Sequence, residues 1–145
     1  MKRQIKFRAK RIDNNEWVYG HLVINKECKA HRIIENFTLI DFEGENAICS
    51  GDSGIHLVKS ETIGQFIGLY DVNEKKLYEG DIVKSYFKRD FEYNAIVEDD
   101  ICNPCFVLRS INYKYKGHIE YDFICCNLRT NEIIGNIHEN HELLK

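Results

Sequence analysis

The sequence predicts a mainly β protein, built as duplicated small barrel units packed into one compact domain, and three observations carry that prediction. Eight Phe, eight Tyr and one Trp stand among many Ile and Val, in short runs broken by turn residues about every ten positions. Beyond one closing turn, no stretch keeps the 3.6-residue apolar period of an amphipathic helix. Two short motifs also recur in the same order in the two halves of the chain, as an internal duplication would leave them.

Element by element, Arg3 to Ala9 alternates Ile5, Phe7 and Ala9 with Gln4, Lys6 and Arg8, the pattern of a half-buried strand with a basic outer face. Further strands are expected at Trp17 to Ile24, His31 to Ile40, Glu45 to Cys49, Ile55 to Val58 and Thr62 to Leu69. Asp13-Asn14-Asn15, Glu43-Gly44 and Gly51-Asp52-Ser53-Gly54 supply the turn residues between them. In the second half strands are expected at Asp81 to Phe87, Tyr93 to Glu98, Phe106 to Tyr113, Ile119 to Cys126 and Ile133 to Ile137. A short helical turn at Asn140 to Leu144 closes the chain, with Asn140 as its expected N-cap.

The recurring motifs are Trp17-Val18-Tyr19-Gly20-His21-Leu22-Val23 against Leu77-Tyr78-Glu79-Gly80-Asp81-Ile82-Val83, and Glu61-Thr62-Ile63-Gly64-Gln65-Phe66 against Glu132-Ile133-Ile134-Gly135-Asn136-Ile137. They predict a first barrel-like repeat over residues 1–67 and a second over 68–145, the second carrying a longer hairpin insertion near 87–105. Leu22 and Ile82 are then expected at matching core positions, and Gly64 and Gly135 at matching bends or bulges. Units this small bury little apolar area alone, so the two are expected to behave as one cooperative domain.

Charge and hydropathy exclude several classes of function. The chain has 145 residues, with 20 Lys plus Arg against 23 Asp plus Glu and a formal net charge of -3, so no global basic field draws it to nucleic acid. No apolar run approaches the roughly 20 residues of a membrane-spanning helix. The basic start, Met1 to Arg8, lacks the apolar stretch of a signal peptide. A soluble, cytoplasmic protein is expected.

Ile5-Lys6-Phe7-Arg8-Ala9, Trp17-Val18-Tyr19-Gly20, Glu61 to Phe66, Gly68-Leu69-Tyr70-Asp71, Tyr78-Glu79-Gly80-Asp81-Ile82-Val83 and Ile134-Gly135-Asn136-Ile137-His138-Glu139-Asn140 together resemble the YopX family over nearly the whole chain. The resemblance implies a bacteriophage or prophage protein acting inside its bacterial host, with SH3-like barrel architecture and no known catalytic residues. Lys10 and His141 depart from the family pattern, both at element ends, and the stretch from Phe87 to Cys105 lies outside it.

Nothing in the sequence assembles a catalytic set. Gly51-Asp52-Ser53-Gly54 looks like a serine-protease nucleophile loop, and His31 and Asp41 precede Ser53 in the right order, but all three crowd into too short a stretch to build two barrels around a cleft. An ordinary β-turn is the better reading of that loop, leaving a small hydrolase at Ser53 as the remotest alternative. Of the six histidines, His21, His31, His56, His118, His138 and His141, only the last two are close, and at the end of a strand that spacing does not converge on a metal. Cys102-Asn103-Pro104-Cys105 has the ligand spacing of half a zinc knuckle. Cys125 and Cys126, adjacent on an expected strand, point to opposite faces, and Cys28 and Cys49 stand apart. The expectation is reduced thiols, no metal and no cofactor.

Two basic segments remain as partner surfaces. Lys2, Arg3, Lys6, Arg8, Lys10 and Arg11 crowd the N-terminus, with 6, 8 and 10 on one strand face beside Trp17 or Tyr19; Asp41, Glu43 and Glu45 are candidate counter-charges. Lys84, Lys88 and Arg89 interleave with Tyr86, Phe87 and Phe91. The preferred reading is a non-enzymatic interaction module with a protein partner. Nucleic-acid binding through the N-terminal strand and the 84–91 segment is the runner-up, and self-association through strand edges is a further expectation.

Overall fold

A computed structural model describes residues 4–25, 29–35, 39–43, 46–49, 54–87, 91–100, 105–111, 121–123 and 131–145. Among them the chain is mainly antiparallel strand, with two short 3-10 turns and no α-helix. It divides into two compact units, Met1–Gln65 and Phe66–Lys145.

The first unit contains β1 (Phe7–Lys10), β2 (Trp17–Asn25), β3 (Ala30–Ile34), β4 (Leu39–Glu43), β5 (Asn46–Cys49), β6 (Ile55–Leu57) and the start of β7 (Gly64–Tyr70). Its main sheet runs β6-β3-β2-β1-β7, while β4 and β5 form a separate hairpin. Ala9 faces Val18, and Leu22 faces Ile33. The resulting core is Ala9, Val18, Ile33 and Val58, with Phe7, Leu22 and Ile63 packed against it. Because side chains alternate between faces, Arg8 and Lys10 of β1 and Trp17, Tyr19, His21 and Val23 of β2 fall on the opposite, outer face. Gly20 is required where β2 passes β3: a Cβ there would lie 2.1 Å from the carbonyl oxygen of Ile34. A 3-10 turn at Ser60–Thr62 precedes β7. Thr62 fixes it, its hydroxyl donating to the Lys59 carbonyl at 2.8 Å and accepting the Lys10 N–H at 2.8 Å.

The second unit contains the rest of β7, then β8 (Lys76–Tyr78), β9 (Asp81–Phe87), β10 (Phe91–Asp99), β11 (Phe106–Ser110), β12 (Tyr121–Phe123) and β13 (Glu132–Asn136). β7 pairs with β8, and the other five make a sheet of order β12-β11-β10-β9-β13. Val83 faces Ala95 and Val97 faces Leu108. These four, with Ile67 and Leu77, form the core, and Leu69, Tyr93, Phe106 and Ile133 pack on it. A closing 3-10 turn spans His141–Leu144.

Several expectations change in this light. The stretch expected as one strand from His31 is divided: β3 ends at Ile34, opposite the first residue of β6, with the Glu35 N–H still in register on the Gly54 carbonyl at 3.0 Å, and a new strand starts at Leu39. The short β8 has too few residues to show an alternation. Phe91–Asp99 is the middle strand of its sheet, so that part of the 87–105 stretch belongs to the sheet itself. Both main sheets share one strand order, four strands in sequence with the fifth returning beside the first. Gly64 and Gly135 both lie in that returning strand, opposite Arg8 and Ile82 respectively. Leu22, in the second strand of its sheet, and Ile82, in the first of its own, are therefore not equivalent. The short motif around Gly20 and Gly80 aligned a strand interior with the turn before a strand. Ile82 and Val83 are both fully buried, and Val83, rather than Ile82, joins the apolar cluster.

The described ladders close no barrel. In the first unit a single bridge, Arg11 to Val58, flanked by Ile12 N–H to Leu57 O at 3.0 Å and Lys59 N–H to Lys10 O at 2.9 Å, links β1 to β6 without a continuous ladder.

Candidate functional site

The motif residues that stand out in the sequence have structural work. Gly80, at φ 82°, supplies the left-handed residue of the turn before β9, and the Asp81 carboxylate accepts the Tyr78 N–H across that turn at 2.8 Å. The Asp71 carboxylate accepts three backbone N–H groups, from Asn73 and Lys75 at 2.8 Å and from Ile133 at 3.2 Å. Gly135 sits at a register shift in β13, and a Cβ there would lie 2.5 Å from Oδ1 of Asn140. That oxygen accepts the Asn136 N–H at 3.1 Å, while Asn136 Oδ1 accepts the N–H groups of His138 and Glu139. Asn140 does occupy the N-cap position expected of it, but its side chain turns back onto β13 and makes no cap bond. Both buried carboxylates, Asp71 and Asp81, are engaged by backbone donors.

The N-terminal basic strand does place Arg8 and Lys10 on one face beside aromatics, opposite Tyr19 and Trp17. They are not offered to solvent. Arg8 Cζ lies 4.7 Å and Lys10 Nζ 5.4 Å from the Trp17 ring, and each side chain is only 7% exposed; two cations flank one indole, as its quadrupole favours. Lys6 is half-buried. Arg11 bonds the Asp13 carboxylate, which holds that carboxyl below the ordinary aspartate range and raises the guanidinium. Lys2, Arg3 and Glu45 lie outside the described residues, as do the side chains of Asp41 and Glu43.

In the second basic segment Lys84 Nζ meets the Glu92 carboxylate at 3.2 Å across the β9–β10 hairpin, and the Tyr86 hydroxyl donates to the same carboxylate. Glu92 raises the Lys84 pKa and neutralises the charge that would attract a phosphate. Phe87 faces Phe91 in that ladder; Lys88 and Arg89 lie outside the described residues.

Ser53, Cys28, Cys102, Cys125, Cys126 and His118 also lie outside them. Cys105 is a half-buried thiol, His31 lies in β3 and His56 approaches Glu35 at 3.5 Å. No three His, Cys, Asp or Glu side chains gather at one point among the described residues, and no helix there is long and apolar enough to cross a membrane.

What sequence reading missed is the outer face of β2, β3 and β6. Register sets His21 beside Ile34 and Ile34 beside Ile55, then Val23 beside Arg32 and Arg32 beside Leu57. Tyr19, Val23, Ile55 and Leu57 are 48%, 44%, 58% and 48% exposed, so apolar side chains from three strands share one solvent-facing patch. The signal was present in Trp17 to Ile24, a run with large side chains at both odd and even positions. An alternating half-buried strand would carry polar residues at one of the two sets.

The chain matches the family model described as YopX protein over residues 6–145. Among solved structures it is similar to the crystal structure of protein EF1440 from Enterococcus faecalis, at 22% identity and a TM-score of 0.51, with 99% of this chain and 100% of that chain covered. No curated protein matches it.

Proposed function

The chain belongs to the YopX family, and on that premise we propose that it is a non-enzymatic interaction module of phage or prophage origin, working in a bacterial cytoplasm on a host or phage protein. The observation that carries this reading is the exposed Tyr19, Val23, Ile55 and Leu57 on one sheet face. Water-facing aliphatic side chains gathered across three strands are costly for a free surface, and covering them recovers apolar area. A protein supplies complementary side chains; a nucleic acid would want accessible cations, and Arg8, Lys10 and Lys84 are already engaged.

The reading extends to architecture. Each unit is taken as an SH3-like module and the pair as a duplication, supported by the shared strand order, by Gly64 and Gly135 in the returning strands and by the 3-10 turn that precedes β7. The test is affinity capture from nuclease-treated host cells with wild-type protein and an Ile55→Ser/Leu57→Ser variant side by side. A protein retained by the first and lost by the second is expected. Retention that depends on intact nucleic acid, or equal retention by both, would refute it.

A further inference from the structure

Resting on that reading, we propose that the outer face of β2, β3 and β6 receives an acidic, apolar polypeptide segment, a carboxylate meeting Arg32 while apolar side chains pack on Val23, Ile55 and Leu57. Arg32 is the centre of the patch, between Val23 on one strand and Leu57 on the other. It is half-buried, and no carboxylate among the described residues pairs with it. Its neighbours Glu35 and His56 engage each other, and His56, opposite Ile33, belongs to the inner face.

This placement selects an occupant. Covering Val23 and Leu57 also strips water from the guanidinium between them, and an unpaired charge in that position is costly. A carboxylate removes the cost by a two-pronged bond to the planar guanidinium, which neither a neutral nor a basic segment can make. A second copy of the chain docked by the same face about a twofold axis would bring Arg32 close to its own counterpart, so self-pairing works against itself. A nucleic acid could satisfy Arg32 with phosphate and stack on Tyr19 or His21 of the same face, but Val23 and Leu57, the residues that flank Arg32, are aliphatic and give bases no flat ring beside the guanidinium.

The experiment is selection of binders from a random dodecapeptide library on the immobilised full-length protein, with affinities of the selected peptides measured by fluorescence polarisation. Selected sequences should carry Asp or Glu next to large apolar residues. Arg32→Gln should weaken them about tenfold or more, Arg32→Lys less, and Leu57→Ser comparably to Arg32→Gln, with circular dichroism confirming that each variant is folded. Peptides that are lost in Leu57→Ser yet bind Arg32→Gln unchanged would overturn the acidic requirement and leave the interaction module standing. Peptides indifferent to all three changes would overturn both. Sedimentation showing a dimer that Leu57→Ser dissociates, or a single-stranded oligonucleotide bound tightly by wild type and lost in Arg32→Gln, would give the face to the other occupant.

Discussion

Glycine does two different jobs at single positions here, and the difference sets what substitution costs. At Gly20 the obstacle is the backbone carbonyl of Ile34, 2.1 Å from an added Cβ; β3 itself must move, and Gly20→Ala should destabilise by about 2–3 kcal/mol in urea titration. At Gly135 the obstacle is the Asn140 side chain, which can swing away at the loss of its hydrogen bonds with Asn136 and Glu142. Gly135→Ala should cost about 1–2 kcal/mol, and a double change that also removes the Asn140 side chain should cost no more. Ser85 behaves oppositely. Its hydroxyl is fully buried with no hydrogen-bond partner, so Ser85→Ala should leave stability unchanged or raise it by up to about 1 kcal/mol. Asp13 reports on pH: its folded carboxyl sits below its unfolded value because Arg11 bonds it. The small stabilisation is thus present above the unfolded pKa and fades as pH falls through the folded one. A carbon-detected NMR titration should place the Asp13 carboxyl below the ordinary aspartate range in the wild-type protein and return it to that range in Arg11→Gln.

At the level of elements, the strands legible in the sequence were those whose two faces differ or whose turns carry Gly, Asn or Asp, such as Trp17–Asn25 and Asp81–Phe87. What stayed hidden had a physical reason each time. β8 is three residues long, too short for a period. The end of β3 falls opposite Ile55, where its partner β6 begins, and a partner that distant in sequence is announced by no local pattern. The exposed apolar face emerged only from register, since Ile34 and Ile55 read alone are ordinary strand residues, and only their pairing makes a patch. Basic residues misled for the same reason: Arg8 and Lys10 do share a face, but the aromatic expected to serve a ligand serves them instead. Asp71 governs the β7–β8 turn and the entry to β13. Asp71→Ala should unlock both, lowering stability by about 2–3 kcal/mol, with amide exchange accelerated together at Asn73, Lys75 and Ile133.

Across the whole molecule, antiparallel pairing between strands far apart in sequence, such as β1 with β7 and β9 with β13, predicts refolding on the millisecond-to-second scale typical of β proteins rather than the microseconds of helical bundles, measurable by stopped-flow fluorescence of Trp17. The slowest-exchanging amides should fall in two clusters, around Ala9, Val18 and Ile33 and around Val83, Ala95, Val97 and Leu108, the fully or nearly fully buried positions of each unit. The three-way grip of Asp71 has a meaning in time as well as in space. Its partners Asn73 and Lys75 leave the ribosome almost with it, whereas Ile133 is 62 residues behind. Through that interval one carboxylate oxygen waits. A message cut short before Ile133 would also withhold the Ile137 N–H from the Gly80 carbonyl, stranding an acceptor at each of two early turns. Truncated products should therefore be poor folders and ready substrates for cellular proteases, so the second unit discriminates against its own unfinished translation.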